Sequence, residues 1–274
     1  MEAGTIRKFV RERYGNIARQ ETSCCGPAKS CCGGKTAEAV GRQIGYSDDE
    51  LRDAPEGANL GLGCGNPIAL ASLKKGETVL DLGSGAGFDC FLAAREVGPA
   101  GRAIGVDMTP EMVEKARENA RKTNRSNVEF RLGEIEHLPV ADESVDAIIS
   151  NCVINLSPSK EEVFMEAYRV LRPGGRFMIS DIMLTGKLPM QIRESLAAHA
   201  GCIAGAIPKE EYLGLLSGAG FRDVRVVQEN AFAVPELETD AYAKSISETF
   251  AIPSETVLEA TRAIASVRIS GTKP

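Results

Sequence analysis

The stretch from Thr78 to Val97 reads TVLDLGSGAGFDCFLAAREV: a short apolar run, three alternate glycines (Gly83, Gly85, Gly87), then a helix-forming segment. A glycine loop between a strand and a helix lets a ligand approach the backbone and seats it at a helix N-terminus. The alternation continues beyond it. Arg102–Asp107 reads as a strand, and Thr109 caps a helix with Pro110 in its first turn and Glu111 adding favourable dipole charge. Strands are expected over 127–132, 145–151 and 177–182, with a helix over 160–171 and RPGGR as the intervening turn. Repeated β-α-β units imply a parallel sheet with helices on both faces. A helix over 209–219 and a strand over 224–228 follow. The period-two pattern of Ala265, Val267 and Ile269 predicts a final strand, expected to be antiparallel.

Upstream, Ile6, Val10, Tyr14 and Ile17 mark an amphipathic helix over 1–20. A helix is expected over 37–44, and Ser47 with Glu50 forms a capping box. The expected organisation is an N-terminal helix with a flexible Cys-rich segment over 1–36, then a Rossmann-like ligand-binding domain over 37–182. Residues 183–274 would complete the sheet and the cysteine site, with helical insertions over 183–215 and 236–262. No internal repeat is present.

The loop is not a dinucleotide fingerprint. G-x-G-x-x-G would need glycine where Phe88 stands, and the spacing here is G-x-G-x-G with Asp81 just before it. A carboxylate at Asp81 disfavours an anionic pyrophosphate and suits a cationic ligand. S-adenosylmethionine carries both an ammonium and a sulfonium. Asp107, at the end of the second strand, is placed to accept from both ribose hydroxyls, and Met108 to flank the adenine. Ser84 joins the three glycines in the expected cofactor loop.

Net charge −6 argues against non-specific nucleic-acid binding, and the absence of Trp, with 5% aromatic residues, lowers the case for base-stacking platforms. The charged N-terminus has no apolar signal region, and no apolar stretch of about 18 residues exists. A cytoplasmic chain with no membrane partner is expected. Eight cysteines there should be reduced thiols, which points to metal binding or catalysis rather than scaffolding. His137, one of two histidines, reads as a surface residue.

Cys152 follows the fourth strand, where open α/β sheets place their active sites. Cys64 lies in the loop GLGCGNP and Cys202 in AAHAGCIAG, so only the fold could unite the three. The residues alone leave two readings open. These are three buried thiols, or a soft ligand set for a thiophilic centre such as As(III), whose lone pair would itself be the nucleophile. Zinc is less apt because no close C-x2-4-C pair joins them. Cys90 reads as a buried structural thiol. Cys24, Cys25, Cys31 and Cys32 form CC-x5-CC, which reads equally as a metalloid-capturing or redox tail and as a passive segment.

From 77 to 181 the chain resembles class I methyltransferases. PEGANLGLGCGNP, VLDLGSGAGFDCFLAA, VDMTPEMVEKAR, SNCVINL and AGCIAGA resemble the arsenite methyltransferases in particular. The resemblance implies that Gly133–Glu136, with Ile135 and Glu136, covers the adenine, and that Asn151 lies near the methionine end. It implies Cys64, Cys152 and Cys202 as the As(III) ligands. It further implies S-adenosylmethionine as methyl donor, arsenite or its thiol conjugates as substrate, and glutathione or thioredoxin as reductant. A monomer with no tightly bound metal cofactor is expected. The alternatives are methylation of a small organic acceptor and non-catalytic metalloid sequestration. A three-thiolate site is expected to lose affinity for arsenic as pH falls well below about 8.5, the value of a free cysteine.

Overall fold

The computed structural model describes residues 2–20, 37–67, 71–231 and 253–274. The CC-x5-CC segment and most of the expected 236–262 insertion lie outside the described residues. Three helices lead in: α1 (Ala3–Gln20), α2 (Ala37–Gln43) and α3 (Asp48–Asp53). The alternating core is β1 (Thr78–Leu82), α4 (Phe88–Val97), β2 (Arg102–Asp107), α5 (Pro110–Lys122), β3 (Val128–Leu132), β4 (Val145–Asn151), α6 (Lys160–Val170) and β5 (Leu171–Leu184). After it come α7 (Met190–Arg193), α8 (Leu196–Ala200), α9 (Lys209–Gly218), β6 (Arg222–Ala231), α10 (Ser254–Arg262) and β7 (Ile264–Thr272).

The seven strands lie in the order β3-β2-β1-β4-β5-β7-β6. β1 to β5 are parallel, and β7 runs antiparallel between β5 and β6, so the expected antiparallel last strand is borne out. Central β1 is buried on both faces, with Val79, Leu80 and Leu82 at most 1% exposed, as a strand covered by helices on both sides requires. Each such side chain contributes about 2 kcal/mol by leaving water.

RPGGR is not a free turn. Arg172–Gly175 bulges out between the pairs Val145–Leu171 and Ala147–Arg176 within β5. The bulge is held because Gly174 N donates to Lys273 O and Lys273 N to Gly175 O (2.8 and 2.9 Å). The Ser47–Glu50 capping box is present in both directions. α1 packs on α5 and α8. Among the described residues, no helix is long and apolar enough to cross a membrane.

β2 and β4 flank β1 on opposite sides, which makes the carboxyl end of β1 the switch point where such sheets bind ligands. Leu82 pairs with Val106 on one side and Ser150 on the other, so the glycine loop, Asp107 and Asn151 emerge on one edge.

Candidate active site

A cleft of about 1100 Å³, open to solvent, lies over that edge. Asp81, Gly83, Ser84, Gly85, Asp107, Met108, Ile135, Glu136, Asn151 and Cys152 line it. Gly83 has φ +70, and a Cβ there would meet Val153 at 2.3 Å, so the tight turn admits only glycine. Gly87 is not among the lining residues. It turns the chain into α4 at φ +95, under the rings of Phe130 and Phe91.

Asp107 is fixed by the backbone: Gly85 N donates to Oδ2 at 2.9 Å and Thr109 N to Oδ1 at 2.8 Å. Each oxygen keeps a lone pair for a ligand hydroxyl. Asp81 accepts from the Cys90 thiol at 3.4 Å, a partner for Cys90 beyond its expected burial. Burial, with Asp89 and Asp107 nearby, pushes the Asp81 carboxyl well above the carboxylate range. Burial also raises Asp107, and lifts Asp89 to about 6. Three acidic groups share one cleft, an arrangement that a bound cation relieves.

Glu136, on the rim of the same cleft, is held by protein partners. It takes an ion pair from Arg7 on α1 at 3.2 Å and the Ser157 hydroxyl at 2.7 Å, while Arg7 and Arg11 also reach Glu134. These pairs tie α1 over the cleft rim. His137 is exposed, as expected, whereas His199 is buried with a ring nitrogen 3.2 Å from Leu156 O.

Asn151 joins this cleft to the cysteines. Its Oδ1 accepts from Cys64 N at 3.0 Å, and Nδ2 faces Gly65 O at 2.7 Å and Asp89 Oδ2 at 3.1 Å. Such close approach explains the glycines around Cys64. A Cβ on Gly63 would meet Asn151 Nδ2 at 2.6 Å, and one on Gly65 would meet Ser180 Oγ at 2.1 Å. Cys64 Sγ then reaches Ser180 O at 3.5 Å, while Cys152 N donates to that same carbonyl at 2.8 Å.

The sulfurs of Cys64 and Cys152 and a carboxylate oxygen of Asp181 all lie within 4.8 Å of one another. Cys202 joins from the loop after α8, its Sγ donating to Cys152 O at 2.8 Å. Cys152 (φ +58) and Cys202 (φ +64) both adopt the left-handed conformation. For non-glycine residues that costs of order 1–2 kcal/mol each, a strain held where the two thiols converge. The Cys202 and Cys64 thiols bonded to it, together with burial, push Cys152 well above the ordinary thiol range. The Cys152 bond favours the Cys64 thiolate, but burial and the charges of Asp181 and Cys202 raise that thiol overall.

Three residues of the site went unread in the sequence. Tyr46 donates to Asp89 at 2.6 Å, and Asp89 itself stands in the first turn after the glycine loop, a signal that could have been used. Asp181, wholly buried within β5, is pushed up to about 7 by burial against hydrogen bonds and the charge of Lys160.

Comparison with known proteins places this geometry. A methyltransferase-domain family matches residues 73–230. An arsenite methyltransferase of Halobacterium salinarum is 52% identical over 231 residues, covering 82% of this chain and 59% of the relative. The human arsenite methyltransferase is 33% identical over 244 residues, covering 86% and 63%. The solved structure of an arsenic(III) S-adenosylmethionine methyltransferase from Chlamydomonas reinhardtii aligns with TM-score 0.61 and 32% identity, over 90% of this chain and 73% of that one. This chain belongs to the arsenite methyltransferase family. It spans about three fifths of the length of these two curated family members.

Proposed function

We propose that the chain methylates trivalent arsenic with S-adenosylmethionine, holding As(III) on Cys64, Cys152 and Cys202. The observation that carries this reading is the place of Cys152. It lines the carboxylate cleft and also stands within the cysteine cluster.

The residues fit the cofactor. Ser84 Oγ is buried without a hydrogen-bond partner among the described residues, and the carboxyls of Asp81, Asp89 and Asp107, the first two buried, line the same cleft. Asp107 would take the ribose, Asp81 and Asp89 the ammonium end, and Met108 and Ile135 the adenine. When bound, the cofactor supplies an electrophilic methyl on a sulfonium.

On this reading the chain loads arsenic from protonated thiols. Each thiol hands its proton to the hydroxide that leaves As(OH)3, so three S–As bonds form and three waters depart. Because Cys64 and Cys152 are raised by burial, that exchange takes up and releases no net proton. The expected loss of affinity on acidification therefore gives way to a flat equilibrium between about pH 5 and pH 8. Three thiolates leave arsenic neutral and pyramidal, with a lone pair that forms the As–C bond while the C–S electrons return to sulfur. No protein base is required. Arsenic gives up two electrons in this step, which two thiols of the glutathione or thioredoxin class return as they join in a disulfide. A monomer acting in the cytosol completes the proposal.

The test is arsenic speciation after incubating the reduced protein with arsenite, S-adenosylmethionine and glutathione. Methylated arsenic is expected from the parent and lost on Cys64→Ser, Cys152→Ser or Cys202→Ser. Cofactor binding without any methylated arsenic would overturn the acceptor and leave an organic substrate to be found.

A further inference from the structure

A pyramidal As(III) needs three thiolates and an unshared fourth direction, yet the cysteine site contains a fourth donor of a second kind. Asp181 brings a carboxylate oxygen within 4.8 Å of both the Cys64 and Cys152 sulfurs. Nothing in the proposed arsenic chemistry uses it.

Its placement is that of a fixed ligand. Asp181 is 0% exposed. Asn155 Nδ2 and Ile182 N donate to its Oδ1, each at 2.9 Å, and the Tyr212 hydroxyl donates to Oδ2 at 3.2 Å. Hydrogen bonds of this kind orient the carboxylates that ligate metals. A carboxylate taken wholly out of water is costly; its hydrogen bonds and the charge of Lys160 offset part of that cost, and a bound cation would offset more. Two thiolates and a carboxylate form a mixed soft and hard set, suited to a borderline divalent ion that accepts both sulfur and oxygen.

We propose that Cys64, Cys152 and Asp181, with Cys202 as fourth donor, form a tetrahedral site for a thiophilic divalent cation of the zinc or cadmium class, competing with As(III) for the same thiolates. The cysteines are shared with the arsenic site, but the inference does not require arsenic to be the methyl acceptor. Zinc–sulfur bonds of about 2.3 Å and zinc–oxygen bonds of about 2.1 Å set donor separations near 3.6 Å. The three donors, all within 4.8 Å of one another, therefore need close by no more than about 1 Å on binding. Cys202 joins by turning its thiol from the Cys152 carbonyl to the ion. Cys64, only half-buried, gives the route of entry. The distinction is one of coordination number. As(III) takes three sulfurs and ignores Asp181, whereas the divalent ion takes the carboxylate too.

The test uses the full chain with Cys24, Cys25, Cys31 and Cys32 changed to Ser, which removes the other paired thiols. Co2+ is the spectroscopic probe and Zn2+ the competitor. Intense visible bands of tetrahedral cobalt with sulfur-to-cobalt charge transfer are expected, and Zn2+ should abolish them. Asp181→Asn should weaken Zn2+ binding about tenfold or more and alter the cobalt spectrum, while As(III) affinity changes less than about twofold. Cys152→Ser should lose both ligands. An octahedral cobalt spectrum in the parent would overturn the proposal, as would Zn2+ affinity unchanged in Asp181→Asn. Asp181→Asn losing As(III) together with Zn2+ would assign the carboxyl to the fold of the site, and would overturn it equally.

Discussion

The cofactor cleft and the cysteine site share Asn151 and Cys152 yet are built in opposite ways. The cleft is assembled from neighbouring residues: Asp81, the glycine loop and Asp89 are consecutive pieces of one strand–loop–helix unit, and Asp107 is one unit further on. Its chemistry is hard, with oxygen acceptors awaiting a cation. The cysteine site is assembled by topology. Cys64 comes from a loop before the sheet, Cys152 from the end of β4 and Cys202 from an insertion, and two of the three hold strained backbones. Its donors are soft. On the proposed function, a chain that joins the two regions would present an electrophile and a nucleophile to one another without a protein base between them.

The comparison breaks most clearly at Cys152. Cys152→Ser is predicted to lower arsenic methylation by about a thousandfold or more while cofactor affinity, measured by calorimetry, moves less than about threefold. Comparable losses of both would show that the regions are not separable. The converse change is Asp107→Ala. Losing two charge-assisted hydrogen bonds of about 1.5 kcal/mol each predicts cofactor binding weaker by about a hundredfold, with As(III) affinity unaltered. Asn151→Ala sits at the joint and is predicted to weaken both ligands, each by about tenfold, because it frees the Cys64 loop and leaves Asp89 short of a donor. An effect on one ligand alone would remove Asn151 from the joint.

The smallest effect is one of pH. Asp89, at about 6, and Asp81, raised well above the carboxylate range by burial, hold protons in the folded chain at a pH where unfolded carboxyls have lost them. The unliganded fold therefore binds more protons than the unfolded chain, and its stability falls as pH rises from about 4 through about 6. A cationic ligand offsets that loss. The rise in Tm caused by S-adenosylmethionine is predicted to be a few degrees larger at pH 7.5 than at pH 5.5, and an equal rise would contradict the acidic-cleft account.

The same contrast explains what was legible in the sequence. The glycine loop, Asp81 and Asp107 could be read because their spacing is local, and the strands β1, β2 and β4 fell where alternation and apolar runs placed them. Arg172–Gly175 was read as a turn because a bulge tied to Lys273 depends on a strand a hundred residues later. Gly87 was read with the cofactor loop, and its place in the fold is the turn into α4 beneath two aromatic rings. The cysteines announced a soft site only through family resemblance, since nothing local joins them. Asp181 was silent for the same reason. An aspartate within an apolar strand carries no sign that two thiols from other elements will meet it.

The account rests on a soft centre built by topology, and arsenic K-edge X-ray absorption reads that centre directly. It should be recorded on the reduced chain with Cys24, Cys25, Cys31 and Cys32 changed to Ser and one equivalent of arsenite bound. Three sulfur scatterers around arsenic with no oxygen are predicted, falling to two on Cys152→Ser. A first shell containing oxygen in the parent, or one unchanged by Cys152→Ser, would contradict it.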